Sequence, residues 1–226
     1  MSKNSPFLLQ PSCFSLIIYL SLAMLFEDTY RTIERAAEGS FKDRGSKFIS
    51  FAFPVTNEEE IKKHQAALRK EHPSANHHCY AFRLGADKTA FRSGDDGEPA
   101  NTAGRPILGQ IQSKDLTNIL IVVVRYFGGT LLGVSGLINA YREAAANAIA
   151  NAQITERTVN DVYELKFDYL QMNDVMKILK EEKLEMLSQD FELSPSLVFS
   201  VRKSNSVKVY DLFKKMSVAI NYIRTL

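Results

Sequence analysis

The sequence predicts an α+β protein of two domains, and three observations support this. A continuous β-branched run at residues 119–124 precedes an alanine-rich helical pattern, which is typical of a buried strand beside a packed helix. From residue 161 onwards, strand and helix patterns follow the order βαββαβ. The polar segment 151–160 has neither periodicity, so we predict a linker there. A length of 226 residues also exceeds the roughly 100–150 of a single domain.

The first domain, predicted at residues 27–150, contains recognisable element boundaries. Asn57, with Glu60 three residues later, predicts a helix start of the capping-box type. Pro106 suits the first turn of a short helix. In order, we predict a strand at 47–53, a helix ending before Pro73, a strand at 77–84 with a hairpin partner at 88–92, a helix from Pro106, the strand at 119–124 and a helix from near Ser135. Together these elements predict an α/β sandwich.

The second domain, predicted at residues 161–226, begins with a clear alternation. Tyr163 and Leu165 occupy one face of a strand and Glu164 and Lys166 the other. A helical stripe at 172–179, strands at 184–193 and 197–201, a helix at 209–216 and a strand at 218–223 follow. This order is the ferredoxin-like pattern.

The first 26 residues contain an apolar run at residues 14–26, too short for a spanning helix of about 20 residues. Its length suits a signal-peptide core, but Lys3 is the only charged residue before it, and this weakly charged leader with Pro11 makes a poor export signal. We expect translation to start at Met24 and residues 1–26 to lie outside the fold, with a signal peptide as the alternative. We expect no membrane association.

Charge and cysteine content restrict the function only weakly. The 28 Lys and Arg residues exceed the 26 Asp and Glu residues by two, whereas a dedicated duplex-DNA binder is usually more basic. Any nucleic-acid contact must therefore come from local placement. Cys13 and Cys79 are too few for a disulfide framework, which indicates a reducing compartment. We expect a cytoplasmic monomer.

Functional-group residues concentrate in three segments of the first domain. These are HPSANHHC at 72–79, SGDDGEP at 93–99 and RYFGG at 125–129. The segments resemble the YigZ/IMPACT family, whose pattern has an HPxAxHHC segment, an SDDGEPxxTAG turn and an arginine, two aromatics and two glycines before a leucine–glycine pair. Gly94 and Asn101 depart slightly from that pattern. The resemblance extends from about residue 27 to the C-terminus.

The resemblance implies a fold for each domain and a link to translation. It implies that the first domain resembles the second domain of the fifth small-subunit ribosomal protein, and the second domain the last domain of elongation factor G. Eukaryotic members of the family regulate initiation with the help of an additional N-terminal domain. We expect no such domain before residue 27, so only a broader role in translation control is expected here.

The histidine segment contains zinc-type ligands, but its spacing disfavours a metal site. Strand alternation sends His77 and Cys79 to one face and His78 to the other. We therefore expect no metal and no cofactor. His77 and His78 are interpreted as groove residues that form hydrogen bonds, and Cys79 as a small buried side chain.

The acidic turn places Asp95, Asp96 and Glu98 close together. They have the chemistry to hold hydrated magnesium or to act as acid and base. The alternatives are a solvated turn, or carboxylates that accept backbone amides or pair with Arg105 or Arg125.

The loop after the buried strand is the strongest candidate for a ligand site. Arg125 offers a fork for phosphate, Tyr126 or Phe127 a stacking surface, and Gly128 and Gly129 open amides before a helix. Alternatively, the glycines only permit a tight turn and Phe127 belongs to the core. We expect Arg125→Ala to weaken RNA binding without unfolding the protein.

Two classes of function follow. The first is a translation-associated protein that binds RNA or a ribosomal surface, and the second is an enzyme acting on a small phosphorylated substrate. We rank the binding protein first, because no nucleophile, metal set or cofactor motif completes a catalytic arrangement. The predicted ligand-binding residues are Arg125, Tyr126, Gly128, Gly129, Arg105, His77, His78, Asp95, Asp96 and Glu98.

Overall fold

The computed structural model describes residues 28–192 and 194–226. One compact unit comprises Thr29–Val159, and the other includes Asn160–Leu226. The mixed α and β content confirms the predicted α+β class. The predicted extension 1–26 lies outside the described residues. In the part of the chain that the structure describes, no helix is both long and apolar enough to cross a bilayer.

The first unit is built on a five-stranded antiparallel sheet with strand order β2-β3-β6-β4-β5. Strands β1 and β7 form a separate two-stranded ribbon. The strands are β1 Thr29–Ile33, β2 Ala37–Asp43, β3 Ser46–Pro54, β4 His77–Leu84, β5 Ala90–Gly94, β6 Ile119–Tyr126 and β7 Ile154–Thr158. The helices are α1 Glu58–Glu71, α2 Gly104–Ser113 and α3 Gly133–Asn151.

Strand β6 is the centre of the sheet and is buried on both faces, as its β-branched run predicts. Ile121 and Val123 belong to the core beneath α2 and α3, whereas Val122 and Val124 belong to the core beneath α1. Because side chains alternate along a strand, Arg125 follows Val123 onto the α2 and α3 face.

Helix α1 starts at the predicted cap. The Glu60 amide donates to Asn57 Oδ1 at 2.9 Å, while the Glu60 carboxylate accepts the Thr56 amide at 2.7 Å. The second half of the capping box thus lies one residue earlier than the standard motif. The helix ends at Glu71, and the His72 amide closes its last turn on the Leu68 carbonyl.

Helix α3 lies unusually close to the sheet because small residues face it. Ala144 and Ala148 are fully buried, and Ser50 donates to the Ala144 carbonyl at 2.6 Å. A Cβ atom added to Gly39 of β2 would lie 2.4 Å from the Ala148 nitrogen. Glycine is therefore required there by space.

The segment predicted as a linker, residues 151–160, contains strand β7. It pairs along its whole length with β1, from Ile33 opposite Ile154 to Thr29 opposite Thr158. Neither strand shows the apolar alternation that identifies a half-buried strand, because β7 is mostly exposed and β1 is buried only at its last two residues. The two units divide between Val159 and Asn160.

The hairpin partner of β4 also differs from the prediction. It runs over Ala90–Gly94 rather than 88–92, because residues 85–89 form a longer connection in which the Lys88 amide donates to the Gly85 carbonyl. This register pairs Gly94 with Tyr80. The acidic turn consequently begins directly opposite the middle of β4.

The second unit has the predicted βαββαβ order, with strand order β11-β8-β10-β9 in an antiparallel sheet. Its elements are β8 Asn160–Lys166, α4 Met172–Glu181, β9 Glu185–Asp190, β10 Ser196–Arg202, α5 Lys203–Lys215 and β11 Ala219–Thr225. Leu165, Phe199 and Phe213 are among its fully buried side chains.

We predict that Gly39→Ala lowers the free energy of unfolding by about 1–3 kcal/mol, because the added methyl group forces α3 away from β2. Gly109→Ala is the matched control. It lies inside α2, where an added Cβ meets no atom within 4 Å, and it should stabilise by about 0.5–1 kcal/mol. Urea denaturation of both variants checks the pair; equal midpoints would contradict the close packing of α3.

Candidate functional site

The three motifs meet at one end of the five-stranded sheet. His77 at the start of β4 lies opposite Arg125 near the end of β6, and the Asn76 amide donates to the Arg125 carbonyl at 2.9 Å. Strand β5 ends at Gly94, immediately before the acidic turn. The sheet register therefore brings together segments almost fifty residues apart.

A buried ion pair lies at the centre of this region. Arg125 Nη1 donates to Glu98 Oε1 at 2.5 Å, and both side chains are almost completely buried. Tyr141 of α3 donates to the same oxygen at 2.7 Å. The Arg125 guanidinium also lies over the Phe48 ring, 5.4 Å from its centroid.

This geometry corrects the prediction that Arg125 presents an open fork to phosphate. The guanidinium is committed to Glu98 and lies in the core, so its loss leaves a buried carboxylate without its charge partner. The sequence analysis offered Arg105 and Arg125 as ion-pair partners for the acidic turn, and Arg125 is the one that pairs. Arg105 lies exposed on the first turn of α2.

Cys79 and Tyr141 extend the buried network. The Cys79 thiol lies 2.9 Å from the Asp95 carbonyl oxygen and 3.3 Å from Tyr141 Oη. Burial raises the pKa of Cys79 and that of Tyr141 well above their ordinary values. The thiol is therefore kept protonated, which opposes a nucleophilic role.

Asp95 holds the N-terminus of α2. Its Oδ1 accepts the amides of Ala103 at 3.1 Å and Gly104 at 2.8 Å, and its Oδ2 accepts the Asn101 amide at 2.9 Å. The carboxylate thereby replaces the missing side-chain cap of this helix and interacts favourably with its dipole.

Asp96 links α1 to β4. Its Oδ1 accepts from Arg69 at 2.7 Å, and its Oδ2 accepts the His78 amide at 2.6 Å. Burial alone would raise the pKa of Asp96, but the hydrogen bonds from Arg69 and His78 hold that pKa below its ordinary value. Asp96 has φ of +44°, a conformation that these contacts stabilise.

The two adjacent histidines have different environments, because alternation places them on opposite faces as predicted. His77 Nδ1 lies 2.9 Å from the Asp96 carbonyl, so it must carry the proton, and the half-buried His77 side chain lies 3.8 Å from Glu98. His78 is buried on the α1 side. Burial first, and then nearby Arg69, lower the pKa of His78.

The glycine loop is shaped by close backbone contact. A Cβ on Gly128 would lie 1.9 Å from the Gly45 carbonyl carbon, and Gly129 has φ of +85°. The Phe127 amide donates to Asn76 Oδ1 at 2.8 Å, and the Gly128 amide to Ser46 Oγ at 3.2 Å. These two amides therefore already have partners within the protein.

Tyr126 does not share this face. Its hydroxyl lies 2.8 Å from His72 Nδ1, and its ring packs against the core beneath α1. Of the two rings to which the sequence analysis assigned a stacking surface, Phe127 is the exposed one, at 44%, and it does not belong to the core.

A cleft of about 450 Å³ opens between the ion pair and the start of α3. Of the predicted site residues, His77, Glu98 and Arg125 line this cleft, and the others are not part of its lining. Its rim carries exposed apolar side chains, with Leu131 81% and Val134 60% exposed. The lining residues are Asn76, His77, Glu98, Pro99, Arg125, Phe127, Leu131, Leu132, Gly133, Val134 and Leu137.

A basic hairpin tip, defined here as Lys42, Arg44 and Lys47, lies beside the glycine loop. It belongs to the β2–β3 hairpin, whose turn residue Gly45 contacts Gly128. All three side chains are exposed, and Lys42 lies directly opposite Lys47. The sequence analysis did not identify this tip. The signal is visible, because three cationic residues lie within the six positions 42–47, around a two-residue turn.

The model of the Impact N-terminal domain matches residues 44–149. An IMPACT family member from Haemophilus influenzae is 35% identical over 158 residues, which cover 69% of this chain and 77% of that protein. The IMPACT family member YigZ from Escherichia coli is 35% identical over 149 residues, covering 65% of this chain and 73% of that protein.

The chain belongs to the IMPACT family. A crystal structure of a hypothetical protein, 28% identical, covers 88% of this chain and 99% of its own with a TM-score of 0.68, and so has the same fold. The matched Impact domain contains the ion pair and the acidic turn within its bounds. The glycine loop and the cleft also lie inside that domain.

We predict that Arg125→Met lowers the free energy of unfolding by about 3–5 kcal/mol, because Glu98 is left buried and charged without its partner. The double variant Arg125→Met/Glu98→Gln should lose less of its free energy of unfolding, since both charges are removed. Arg92→Met, on exposed β5, is the control and should change stability by less than about 0.5 kcal/mol. Denaturant unfolding checks the set; a stable Arg125→Met single variant would restore the original prediction.

We also predict that stability falls as the pH drops through the ordinary histidine range, because His78 is held neutral in the fold. Its folded pKa lies below 6.5, so the unfolded chain binds more protons and is favoured as the pH falls below that value. His78→Phe should flatten the decrease between about pH 7.5 and about pH 5.5. Thermal unfolding across this pH range measures the decrease in stability. An unchanged slope of stability against pH in the variant would contradict the assignment of the decrease to His78.

Proposed function

We propose that this IMPACT-family chain acts in translation control as a cytoplasmic binding protein, and that its first unit binds RNA or a ribosomal surface. The observation that carries the proposal is the basic hairpin tip, whose turn residue Gly45 contacts Gly128 of the glycine loop at the end of the sheet that holds the cleft. A cationic surface beside an exposed aromatic ring is the arrangement that single-stranded nucleic acid requires.

The electrostatics of the tip favour an anionic partner. Lys42 and Lys47 lie directly opposite each other on neighbouring strands, where like charges repel. Neither they nor Arg44 forms an ion pair with any residue that the structure describes. Asp43 points to the other face of β2, since side chains alternate along a strand. A bound phosphate backbone relieves this repulsion.

The link to translation comes from the family. The family resemblance implies a role in translation control, and this broader role is what the chain shares with its eukaryotic relatives under the proposal. The first unit supplies the contact surface, because it holds the matched Impact domain. A binding protein needs no turnover, so the surface alone suffices for such a role.

An enzyme acting on a phosphorylated substrate is less well supported by the site. Asp95 and Asp96 use both carboxylate oxygens to hold backbone amides and Arg69, and Glu98 holds Arg125 and Tyr141. Carboxylates engaged in this way hold the structure together rather than act as base or metal ligands. The raised pKa of Cys79 opposes nucleophilic catalysis.

We predict that Lys42→Gln/Lys47→Gln weakens binding of single-stranded RNA and flattens its salt dependence. Two lost phosphate contacts should reduce the log–log slope against salt concentration by about 1.4. Fluorescence anisotropy with a labelled oligoribonucleotide at several salt concentrations measures the slope, and co-sedimentation with ribosomes tests the same variants on the larger target.

Lys62→Gln/Lys63→Gln is the matched control, because it removes the same charge from exposed positions near the start of α1. Its slope should stay close to that of the unchanged protein. If neither RNA nor ribosomes bind with a salt dependence, the proposal is wrong. Equal loss in both double variants would mean that net charge, rather than the hairpin tip, governs binding.

A further inference from the structure

The floor of the cleft contains a carboxylate oxygen without a partner. Both hydrogen bonds to Glu98 reach Oε1, from Arg125 and from Tyr141. Among the described residues, Oε2 accepts no hydrogen bond, and it is not one of the unpartnered atoms that are sealed from solvent. The side chain is 3% exposed and lines the cleft. A buried carboxylate thus directs one acceptor into the cavity.

His77 places a second acceptor beside it. Its Nδ1 donates to the Asp96 carbonyl, and the tautomer that this contact selects for the uncharged ring has Nε2 as its acceptor. Nε2 lies 3.8 Å from Glu98 Oε1, and the ring also lines the cleft. The Asp96 carbonyl therefore fixes which hydrogen-bonding group His77 offers to a ligand.

The charge of this floor is already balanced. Arg125 pairs with Glu98 inside the protein, so the cleft offers hydrogen-bond acceptors without a net negative charge. Such a floor suits a neutral hydrogen-bond donor. A cationic ligand would lose its hydration on entering the cleft, and it would find no carboxylate that lacks a charge partner. The charge balance thus disfavours a lysine or arginine side chain of a protein partner.

The walls favour a flat apolar body. The Arg125 guanidinium carbon lies 5.7 Å from the centroid of the Phe127 ring, and Phe127 remains 44% exposed. Leu131, Val134 and Leu137 complete the apolar lining on the side of α3. A planar ring that enters here stacks on Phe127 and presents its edge to Glu98 and His77.

We propose that the cleft binds one unstacked nucleobase that carries an amino group, adenine, cytosine or guanine, of a single RNA strand. The inference rests on the proposed function, because binding of an RNA strand by the first unit is what brings a base to the cleft. The amino hydrogens donate to Glu98 Oε2 and His77 Nε2. Uracil has carbonyl oxygens at the corresponding edge positions and only the single N3–H donor between them, so it leaves at least one of the two acceptors without a partner.

The first test uses the unchanged protein and labelled eight-residue homopolymers of adenosine, cytidine and uridine at one salt concentration. We expect the adenosine and cytidine strands to bind about fivefold or more tightly than the uridine strand, since one unmet buried acceptor is costly. A strand of N6,N6-dimethyladenosine keeps the aromatic ring but has no amino hydrogens, and it should bind as weakly as the uridine strand.

The second test is Glu98→Gln. Its amide oxygen can still accept from Arg125 and Tyr141, and its NH₂ group then faces the cleft as a donor. We expect the order to reverse, with uridine bound more tightly than adenosine. A purely structural role for Glu98 would weaken all strands alike and leave their order unchanged, which would overturn the proposal.

The third test covers the outcome in which Glu98→Gln does not fold. Phe127→Ala removes the exposed stacking ring and should weaken adenosine and cytidine binding about tenfold, given a stacking contribution of 1–3 kcal/mol per base. Phe91→Ala on β5 is the control, because this ring is 53% exposed and does not line the cleft.

The outcomes separate the two proposals. Salt-dependent RNA binding that is equal for all homopolymers and unaffected by Phe127→Ala overturns the base-binding inference and leaves the RNA-binding function intact. The absence of any RNA binding overturns both. Retained binding to ribosomes without binding to free strands assigns the surface to a protein or folded-RNA partner and overturns the base-binding inference.

Discussion

The ion pair between Glu98 and Arg125 is the interaction on which the rest of the site depends. Removing two charges from water is costly, and the cost is recovered only where geometry and additional hydrogen bonds are favourable. Here Tyr141 supplies a second donor to Glu98, and the faces of Phe48 and Phe127 lie near the guanidinium. The pair therefore links the acidic turn, the end of β6 and helix α3, and so fixes the three walls of the cleft.

The neighbouring carboxylates serve the same purpose at shorter range. Asp95 holds the first turn of α2, and Asp96 connects α1 with the start of β4. Each is placed by a turn in which Asp96 and Gly97 have positive φ, so the backbone bends sharply enough to direct the acids towards different elements. In the sequence, three acids close together suggest a metal or catalytic site. In the structure, each of the three acids instead holds a different part of the fold in place.

Much of the fold was predictable because its signals are local. The β-branched run of β6, the cap at Asn57 and the alternation that separates His77 from His78 depend only on neighbours in the sequence. Strand β7 was not predictable in this way, since an exposed ribbon shows no apolar pattern and depends on pairing with β1, more than a hundred residues away.

The candidate site was harder to predict than the fold. The resemblance located the motifs, but the partner of Arg125 is set by sheet register and by helix α3. The sequence offers Asp96 and Glu98 equally as partners of Arg125, and Tyr141 carries no signal of its role. The same holds for Lys42 and Lys47, whose opposition becomes visible only once the hairpin is formed.

Under the proposed function, the hairpin tip and the cleft divide recognition of RNA into two physical tasks. Phosphate contacts at Lys42, Arg44 and Lys47 supply affinity that depends on salt and is the same for every sequence. The acceptors and Phe127 supply discrimination that depends little on salt, because these groups lie in or beside a cavity of low polarity. Under the proposal, a protein with a net charge of only +2 binds RNA selectively, since its three cations are concentrated at the end of the sheet that also holds the cleft.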